Sequence, residues 1–332
     1  MLRSETATSG ERRQVALAGL ACYQAAPREP RPAMPPAKHR RGHARLLDYG
    51  GSEDGPPVVF VPSLINPSHI LDLTPETSLL RWIAARGHRT LLLDWGSPTP
   101  VDRALDIAGH VERILLPLLA RLKQAPILVG YCLGGTMALA AAARAEVTAV
   151  ATIAAPWHFT GYGETARASI ADLWTSAHAA CDALGLVPME VLQSGFWRLD
   201  PARTIAKYEA FAAMPAGSRA ARDFVALEDW ANAGAPLTYA AGAELFAMIE
   251  RDAPGRGEWI VGGAPVDLSS IACPATEFVS LGDRIVPAAT AAGLPSRHDV
   301  AAGHVGMIVG GRACAVLWEP LADWLSTVAA PR

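Results

Sequence analysis

The 332 residues are 51% hydrophobic, enough for a sizeable buried core, and this composition excludes intrinsic disorder for most of the chain. The chain has 29 lysines and arginines against 32 aspartates and glutamates, and the net charge of −3 does not favour nucleic-acid or anionic-membrane partners. The five cysteines show no CxxC or Cys/His ligand spacing, which argues against a disulfide framework and a structural metal. We therefore expect a metal-free protein in a reducing cytoplasm.

The N-terminal residues differ in character from the rest. Residues 1–10 are polar and lack the apolar core of a secretory signal. Residues 12–26 form a short amphipathic stretch, and residues 27–41 are rich in proline and basic residues, which predicts an extended linker rather than a packed element. We assign residues 1–44 to this amphipathic segment and Pro-rich linker.

Further along, apolar runs of strand length alternate with segments of helical periodicity. This alternation predicts a mostly parallel sheet with helices on both faces. The uncharged run 125–143 has the length of a membrane span, but its proline and glycines favour a buried strand, a tight turn and a buried helix. The predicted strands are 58–62, 90–95, 126–131, 147–155, 275–281 and one near 298–301, and the predicted helices are 76–86, 107–123, one ending near 144, and 313–328.

The alternation stops at Pro156 and resumes at Pro274. We assign residues 45–156 and 274–332 to an α/β core and residues 157–273, which are helical in pattern and rich in aromatic residues, to an insertion. An insertion at the carboxyl edge of a parallel sheet lies where such folds bind ligands, which predicts a cap over an active site. The alternative is a second packing domain without a gating role.

The strongest local signal is Gly130-Tyr131-Cys132-Leu133-Gly134-Gly135, between a predicted buried strand and a predicted helix. A nucleophile elbow needs small residues two before and two after the reactive side chain, because the backbone turns sharply there. The turn would lift the sulfur of Cys132 above the sheet edge, at a helix N-terminus that favours the thiolate. The alternative is a buried cysteine in an ordinary glycine-rich turn.

A cysteine nucleophile needs a base and an orienting acid. Asp283 follows the strand predicted to end near Leu281, and His304 follows the next strand, so both are expected at the sheet edge that carries Cys132. Taken alone, Asp283 could be a turn residue and His304 a capping or packing histidine. Their joint placement predicts a Cys-His-Asp triad.

Attack on a carbonyl also requires two donors for the developing oxyanion. The backbone N–H of Leu133 is one candidate, and that of Leu64, in the loop after the first core strand, is the other. The weaker histidine candidates are His69, His110, His158, His178 and His298. The chain has neither a GxGxxG nor a P-loop motif, so we expect no nucleotide cofactor.

Together these segments resemble the catalytic subunit of polyhydroxyalkanoate synthases, in particular the short type that works with a second subunit. The resemblance implies an α/β-hydrolase fold with a helical cap, and polymerisation of 3-hydroxyacyl-CoA with release of CoA. The matching segments, spread over residues 45–325, are Pro62-Ser63-Leu64-Ile65-Asn66, Ile70-Leu71-Asp72-Leu73, Ser78-Leu79-Leu80-Arg81-Trp82, Asp94-Trp95-Gly96, the cysteine elbow, Val266-Asp267-Leu268 and the segments around Asp283 and His304.

The resemblance implies that Cys132 accepts the acyl group, that His304 is the general base, and that Asp283 is its partner or activates the incoming hydroxyl. The sequence departs from the family's pattern at Arg284, where histidine is common, and at His69, where the family has tyrosine. The resemblance further implies a second, non-homologous subunit and a location at polyester granule surfaces. The sequence leaves a homo-oligomer open.

The choice of cysteine bears on the reaction. A thiolate that attacks acyl-CoA exchanges one thioester for another, so the acyl-enzyme stays activated, which suits transfer to a hydroxyl better than hydrolysis. We therefore favour an acyltransferase, with CoA entering as part of the substrate and no separate cofactor. A thioesterase, esterase or depolymerase-like hydrolase could use the same triad with water, and a non-catalytic protein of this fold would use neither acceptor.

Overall fold

The computed structural model describes residues 6–199 and 201–330, except for the side chains of residues 196–199, 201 and 203. Eight strands form one sheet in the order β1-β2-β4-β3-β5-β6-β11-β12, in which β2 runs antiparallel to both of its neighbours, β1 and β4, and the other neighbours run parallel. The strands are β1 (Ala37–Arg41), β2 (Ala44–Gly50), β3 (Val58–Val61), β4 (Thr90–Asp94), β5 (Ile127–Tyr131), β6 (Ala149–Ile153), β7 (Leu186–Val187), β8 (Leu237–Thr238), β9 (Ile260–Val261), β10 (Ala264–Pro265), β11 (Ala275–Ser280) and β12 (Ser296–Val300).

Helices connect the strands and cover the sheet. One of them, α3, is continuous through three stretches, Ile107–His110, Val111–Leu115 and Leu116–Leu119, the middle one with wider π-type turns. The other helices are α1 (Gly10–Ala25), α2 (Leu79–Ala84), α4 (Leu133–Ala142), α5 (Glu164–Leu184), α6 (Met189–Leu199), α7 (Pro201–Ala212), α8 (Arg219–Asn232), α9 (Tyr239–Arg251), α10 (Gly306–Val309) and α11 (Glu319–Ala329, preceded without a break by Cys314–Trp318).

Successive residues of the central strands pack on opposite faces of the sheet. Val59 and Val61 of β3 join the core that also contains α3 and α4, whereas Val58 and Phe60 join the core that contains α2 and α11. Because both faces are covered, these strands are continuous apolar runs, which is how they could be found in the sequence. The predicted parallel sheet with helices on both faces is confirmed, with an antiparallel edge added by β1 and β2.

The N-terminal linker is shorter than predicted. Ala37–Arg41, which we assigned to the linker, forms the edge strand β1 and pairs antiparallel with β2. Its side chains are exposed or only half-buried, so the segment lacks the apolar signal by which the other strands were recognised, and basic residues are common on edge strands. The amphipathic stretch forms α1, capped by Ser9, whose side chain accepts a hydrogen bond from the backbone N–H of Arg12.

Between β6 and β11 the chain forms α5–α9 and the short antiparallel pairs β7/β8 and β9/β10. Phe159, Leu173 and Phe246 from this segment join the core on the α3/α4 face of the sheet. The run 125–143 folds as β5, the tight turn and α4, as predicted. Within the described ranges, none of the helices has the length and apolarity to cross a membrane.

Candidate active site

Cys132 lies in a strained turn between β5 and α4. Its backbone has φ 56° and ψ −133°, a region that residues other than glycine rarely adopt. Its N–H donates to the carbonyl oxygen of Ile153 at 2.9 Å, and its carbonyl oxygen accepts from the N–H of Gly135 at 2.8 Å. The turn leaves Cys132 half-buried, at the N-cap of α4.

The glycines of the elbow are required by close backbone approaches. A Cβ atom on Gly130 would lie 2.4 Å from the Cα atom of Gly135, and one on Gly134 would lie 2.1 Å from the carbonyl oxygen of Val61. Both obstacles are backbone atoms, which cannot move aside as a flexible side chain can. The spacing predicted for a nucleophile elbow therefore corresponds to real steric contacts.

Asp283 follows β11 and His304 follows β12, and the two side chains are paired. Nδ1 of His304 lies 2.6 Å from Oδ2 of Asp283. The other carboxylate oxygen accepts from the N–H groups of Ile285 at 2.7 Å and Val286 at 2.9 Å. The side chains of His304 and Asp283 are 8% and 0% exposed, so this hydrogen-bonded carboxylate orients the imidazole away from bulk water.

The electrostatics of His304 place Cys132 in the same cluster. Burial alone would lower the pKa of His304, but the negative charges of Cys132 and Asp283 and hydrogen bonds with both raise it to about 10. Such effects require the sulfur to lie close to the imidazole. The structure thus brings the three predicted residues together at one edge of the sheet, with His304 between Asp283 and Cys132.

A cavity of about 80 Å³ opens at Cys132. Its walls come from the elbow, the loop after β3, the segment between β6 and β11, and the loop that follows Asp283. Nearly all of the wall residues are apolar, and they include Ile65, Phe159, Leu173, Leu192, Phe246 and Val286. A wall of this kind holds little ordered water next to the sulfur.

The two predicted oxyanion donors lie on segments that touch at the elbow. Leu133 is the first residue of α4, so its N–H is among the donors that a helix leaves without an internal partner. Leu64 lies in the loop after β3, whose Pro62 carbonyl approaches Gly134. This loop is held by the indole N–H of Trp95, which donates to the carbonyl oxygen of Pro62 at 2.9 Å.

Two tyrosines of the site were not identified from the sequence. The ring of Tyr131 stacks on the imidazole of His304 with centroids 5.1 Å apart, and its hydroxyl donates to the carbonyl oxygen of His304 at 3.2 Å. Tyr162 lines the cavity at Cys132. Burial, followed by the charges of Cys132 and Asp283, raises the pKa of both tyrosines, so both remain neutral donors. Tyr131 stands in the elbow motif itself, but nothing in the motif shows which way its ring faces.

The weaker histidine candidates have other contacts. His110 bonds through Nδ1 to the carbonyl oxygen of Asp106 at 2.7 Å, and His298 stacks on Phe278 with centroids 4.7 Å apart. His69 accepts a hydrogen bond from Arg31 at 2.7 Å; burial and then the charge of Arg31 lower its pKa to about 4. The remaining two are His158, whose backbone N–H donates to the carbonyl oxygen of Thr290 at 3.0 Å, and His178, whose ring packs on Trp174. Among the residues described, no group of three or more potential ligands could hold a metal ion.

Comparison with curated proteins gives several relatives. The chain is 28% identical to the poly(3-hydroxyalkanoate) polymerase subunit PhaC of Haloferax mediterranei, over 87% of this chain and 63% of the relative. It is 27% identical to PhaC of Haloarcula marismortui, over 81% of this chain and 60% of the relative, and 26% identical to PhaC of Allochromatium vinosum, over 85% of each. The chain therefore spans less than two thirds of the length of the first two of these relatives. No protein-family model matches it.

Solved structures agree on the fold. The α/β hydrolase GrgF from Penicillium sp. sh18 aligns with a TM-score of 0.51 at 19% identity, over 87% of this chain and 95% of that one. The monoacylglycerol lipase of Paleococcus ferrophilus aligns with a TM-score of 0.50 at 13% identity, over 86% of this chain and 99% of that one. At these identities the likeness shows the fold alone, and the predicted α/β-hydrolase fold class is confirmed.

Proposed function

We propose that the chain is a cysteine-dependent acyltransferase that polymerises 3-hydroxyacyl-CoA and releases CoA. The premise is its relationship to the PhaC subunits of poly(3-hydroxyalkanoate) polymerases. The observation that carries the proposal is the position of Cys132, at an elbow that opens into an apolar cavity, beside the paired side chains of His304 and Asp283. CoA enters as part of the substrate, and no separate cofactor takes part.

In the first half-reaction the thiolate of Cys132 attacks the thioester carbonyl of 3-hydroxyacyl-CoA. A C–S bond to Cys132 forms while the carbonyl electron pair moves onto oxygen, where the N–H groups of Leu133 and Leu64 stabilise the charge. When this intermediate collapses, the C–S bond to CoA breaks and the imidazolium of His304 gives its proton to the leaving sulfur. The products are free CoA, an acyl thioester on Cys132 and a neutral imidazole.

In the second half-reaction the neutral imidazole of His304 takes the proton from the 3-hydroxyl of a second acyl unit. The alkoxide attacks the thioester on Cys132, an ester bond forms, and Cys132 leaves as a thiolate beside the newly protonated imidazole. The lengthened chain is then held by the CoA of the second acyl unit, and it returns to Cys132 by the first half-reaction with release of that CoA. Acylation makes this step easier, because the charge of Cys132 is the strongest influence that raises the pKa of His304 and is absent in the acyl-enzyme. Asp283 orients the imidazole in both half-reactions.

The competing acceptor is water, and a hydrolase would use the same residues. The apolar wall around Cys132 disfavours water there, and the thioester retains the activation that ester formation needs. We extend the proposal to the segment 157–273, which acts as a cap because Phe159, Leu173 and Phe246 from it line the cavity. The relatives are named as polymerase subunits, so a second subunit and a location at the polyester granule surface are also proposed.

The experiment follows three products from 3-hydroxybutyryl-CoA: free CoA, polyester and free 3-hydroxy acid. We expect CoA and polyester with little free acid for the wild type, and none of the three for Cys132→Ala. Cys314→Ala is the matched control, because Cys314 is also half-buried and lies outside the cavity. Intact-mass detection of an acyl adduct on Cys132 tests the first half-reaction without a second subunit.

Two results would contradict the acyltransferase. Release of CoA with an equal amount of free acid would assign a hydrolase. An absence of acylation, with Cys132 no more reactive toward an alkylating reagent than Cys314, would assign a non-catalytic protein.

A further inference from the structure

The cavity at Cys132 meets an open groove. The groove has a volume of about 530 Å³ and lies along the first two turns of α5. Four residues line both spaces: Tyr162, Ile170, Leu173 and Gly195. We call these four residues the neck, because they separate the buried cavity from the groove.

The two volumes differ in what they can hold. Ligand pockets in proteins span roughly 300–1,000 Å³. The cavity of about 80 Å³ is far below that range, whereas the groove of about 530 Å³ falls within it. A product that grows by one acyl unit in each cycle cannot remain in the cavity, so it must leave the neighbourhood of Cys132 by a continuous route.

Among the residues that the structure describes, the neck joins the cavity at Cys132 directly to the groove along α5. A larger groove of about 1070 Å³, on the side of Leu64 and Asn66, has no lining residue in common with the cavity. The walls of the neck are largely apolar, and the smaller groove adds Thr165 and Ser169, which offer hydroxyl groups. An apolar passage with polar groups at its rim suits a polyester, which carries carbonyl groups along an aliphatic chain.

Local structure does not account for the glycine at position 195 of the neck. It lies inside α6, where glycine is less favourable than alanine by about 1 kcal/mol. A Cβ atom there would lie 3.4 Å from Cδ2 of Leu173, an ordinary contact, so packing alone would accept alanine. The missing side chain keeps a space open between α5 and α6.

On the basis of the proposed function, we propose that the growing acyl chain leaves Cys132 through the neck, and that Gly195 and Leu173 determine the bulk of the chain that passes. The substrate class of this passage is an aliphatic polyester attached to Cys132 through a thioester. Side chains that fill the space at position 195 block elongation after the first acylation, and removal of the Leu173 side chain widens the passage.

The test compares Gly195→Leu with Thr175→Leu, which adds the same side chain at an exposed position of α5 outside both the cavity and the groove. We expect Gly195→Leu to release one CoA per Cys132 in the first turnover and then to stall, with polymer at least about tenfold shorter than that of the wild type. Thr175→Leu should match the wild type. Leu173→Ala should raise kcat/KM for 3-hydroxyoctanoyl-CoA relative to 3-hydroxybutyryl-CoA by about tenfold.

Two failures are distinguishable. If Cys132 of the wild-type protein is not acylated, the proposed function is wrong, and so is the passage that depends on it. If Gly195→Leu gives a normal first turnover and polymer of wild-type length, the passage is wrong while the acyltransferase stands. Circular dichroism checks the fold of Gly195→Leu, and if that variant does not fold, an unchanged substrate preference in Leu173→Ala overturns the inference.

Discussion

Removing the charge of Cys132 should lower the pKa of His304. In the wild type that pKa is raised to about 10, with burial opposing the increase and the charge of Cys132 the strongest contribution to it. The substitution Cys132→Ala removes this charge and leaves the pairing with Asp283 in place. Burial and the remaining carboxylate then set the pKa.

The size of the effect follows from the geometry of a contact pair. Two unit charges about 4 Å apart interact by about 4 kcal/mol at an effective dielectric constant of about 20. One pKa unit corresponds to about 1.4 kcal/mol, so the titration midpoint of His304 should fall by about 3 pH units in Cys132→Ala. The variant would then titrate near the neutral range.

The measurement is an NMR titration of the histidine side chains between about pH 5 and 11, with the His304 resonance assigned by its loss in His304→Gln. Cys314→Ala serves as the control, since Cys314 is a cysteine outside the cavity and its removal should leave the midpoint unchanged. A midpoint that is the same in Cys132→Ala and the wild type would refute the reasoning, because the sulfur could then carry no charge close to the imidazole.

Further outcomes follow from the same contacts. Asp283→Asn should reduce CoA release by about 100-fold or more, because an amide does not stabilise an imidazolium as a carboxylate does. Gly134→Ala should lower the free energy of unfolding by about 3 kcal/mol in urea titrations, because its Cβ would lie 2.1 Å from a backbone oxygen of β3. Gly19→Ala should expose α1 to limited proteolysis, because its Cβ would lie 1.9 Å from a backbone oxygen of α7, whereas Gly10→Ala, with nothing within 4 Å, should not. The stabilisation from protonated His304 should be complete below about pH 6.5 and lost as the pH rises through about 10, as chemical denaturation at several pH values will show.

The sheet could be predicted wherever burial is strong on both faces. Val58–Val61 and Ile127–Tyr131 are apolar at almost every position. A strand is therefore predicted there even if the assumed first and last residues shift by one or two positions. The edge strand Ala37–Arg41 could not be found in this way, because its stability comes from pairing with β2 rather than from its own side chains. Edge strands are therefore the part of this fold that a hydrophobic pattern describes least well.

The catalytic candidates could be identified because each one lies shortly after the end of a strand. The positions of Cys132, Asp283 and His304 follow from chain order and from the rule that parallel strands carry their functional residues at the carboxyl edge. The stacking of Tyr131 on His304 and the position of Tyr162 in the cavity wall depend on how distant segments meet, which no local pattern records. The docking of α1 on α7, with Arg12 and Glu209 paired at 3.0 Å, is of the same kind.

In the proposed mechanism a single imidazole acts as acid and then as base because its charge is coupled to that of the nucleophile. While Cys132 is a thiolate, its charge holds His304 protonated, which is the form that a leaving CoA sulfur requires. Once Cys132 is acylated this charge is gone, and the imidazole takes the form that an incoming hydroxyl requires. A serine at this position would be neutral in the resting enzyme and would start with the imidazole already as base. In the proposed mechanism the cysteine therefore does more than keep the acyl group activated, because it alternates the protonation of its partner between the two half-reactions.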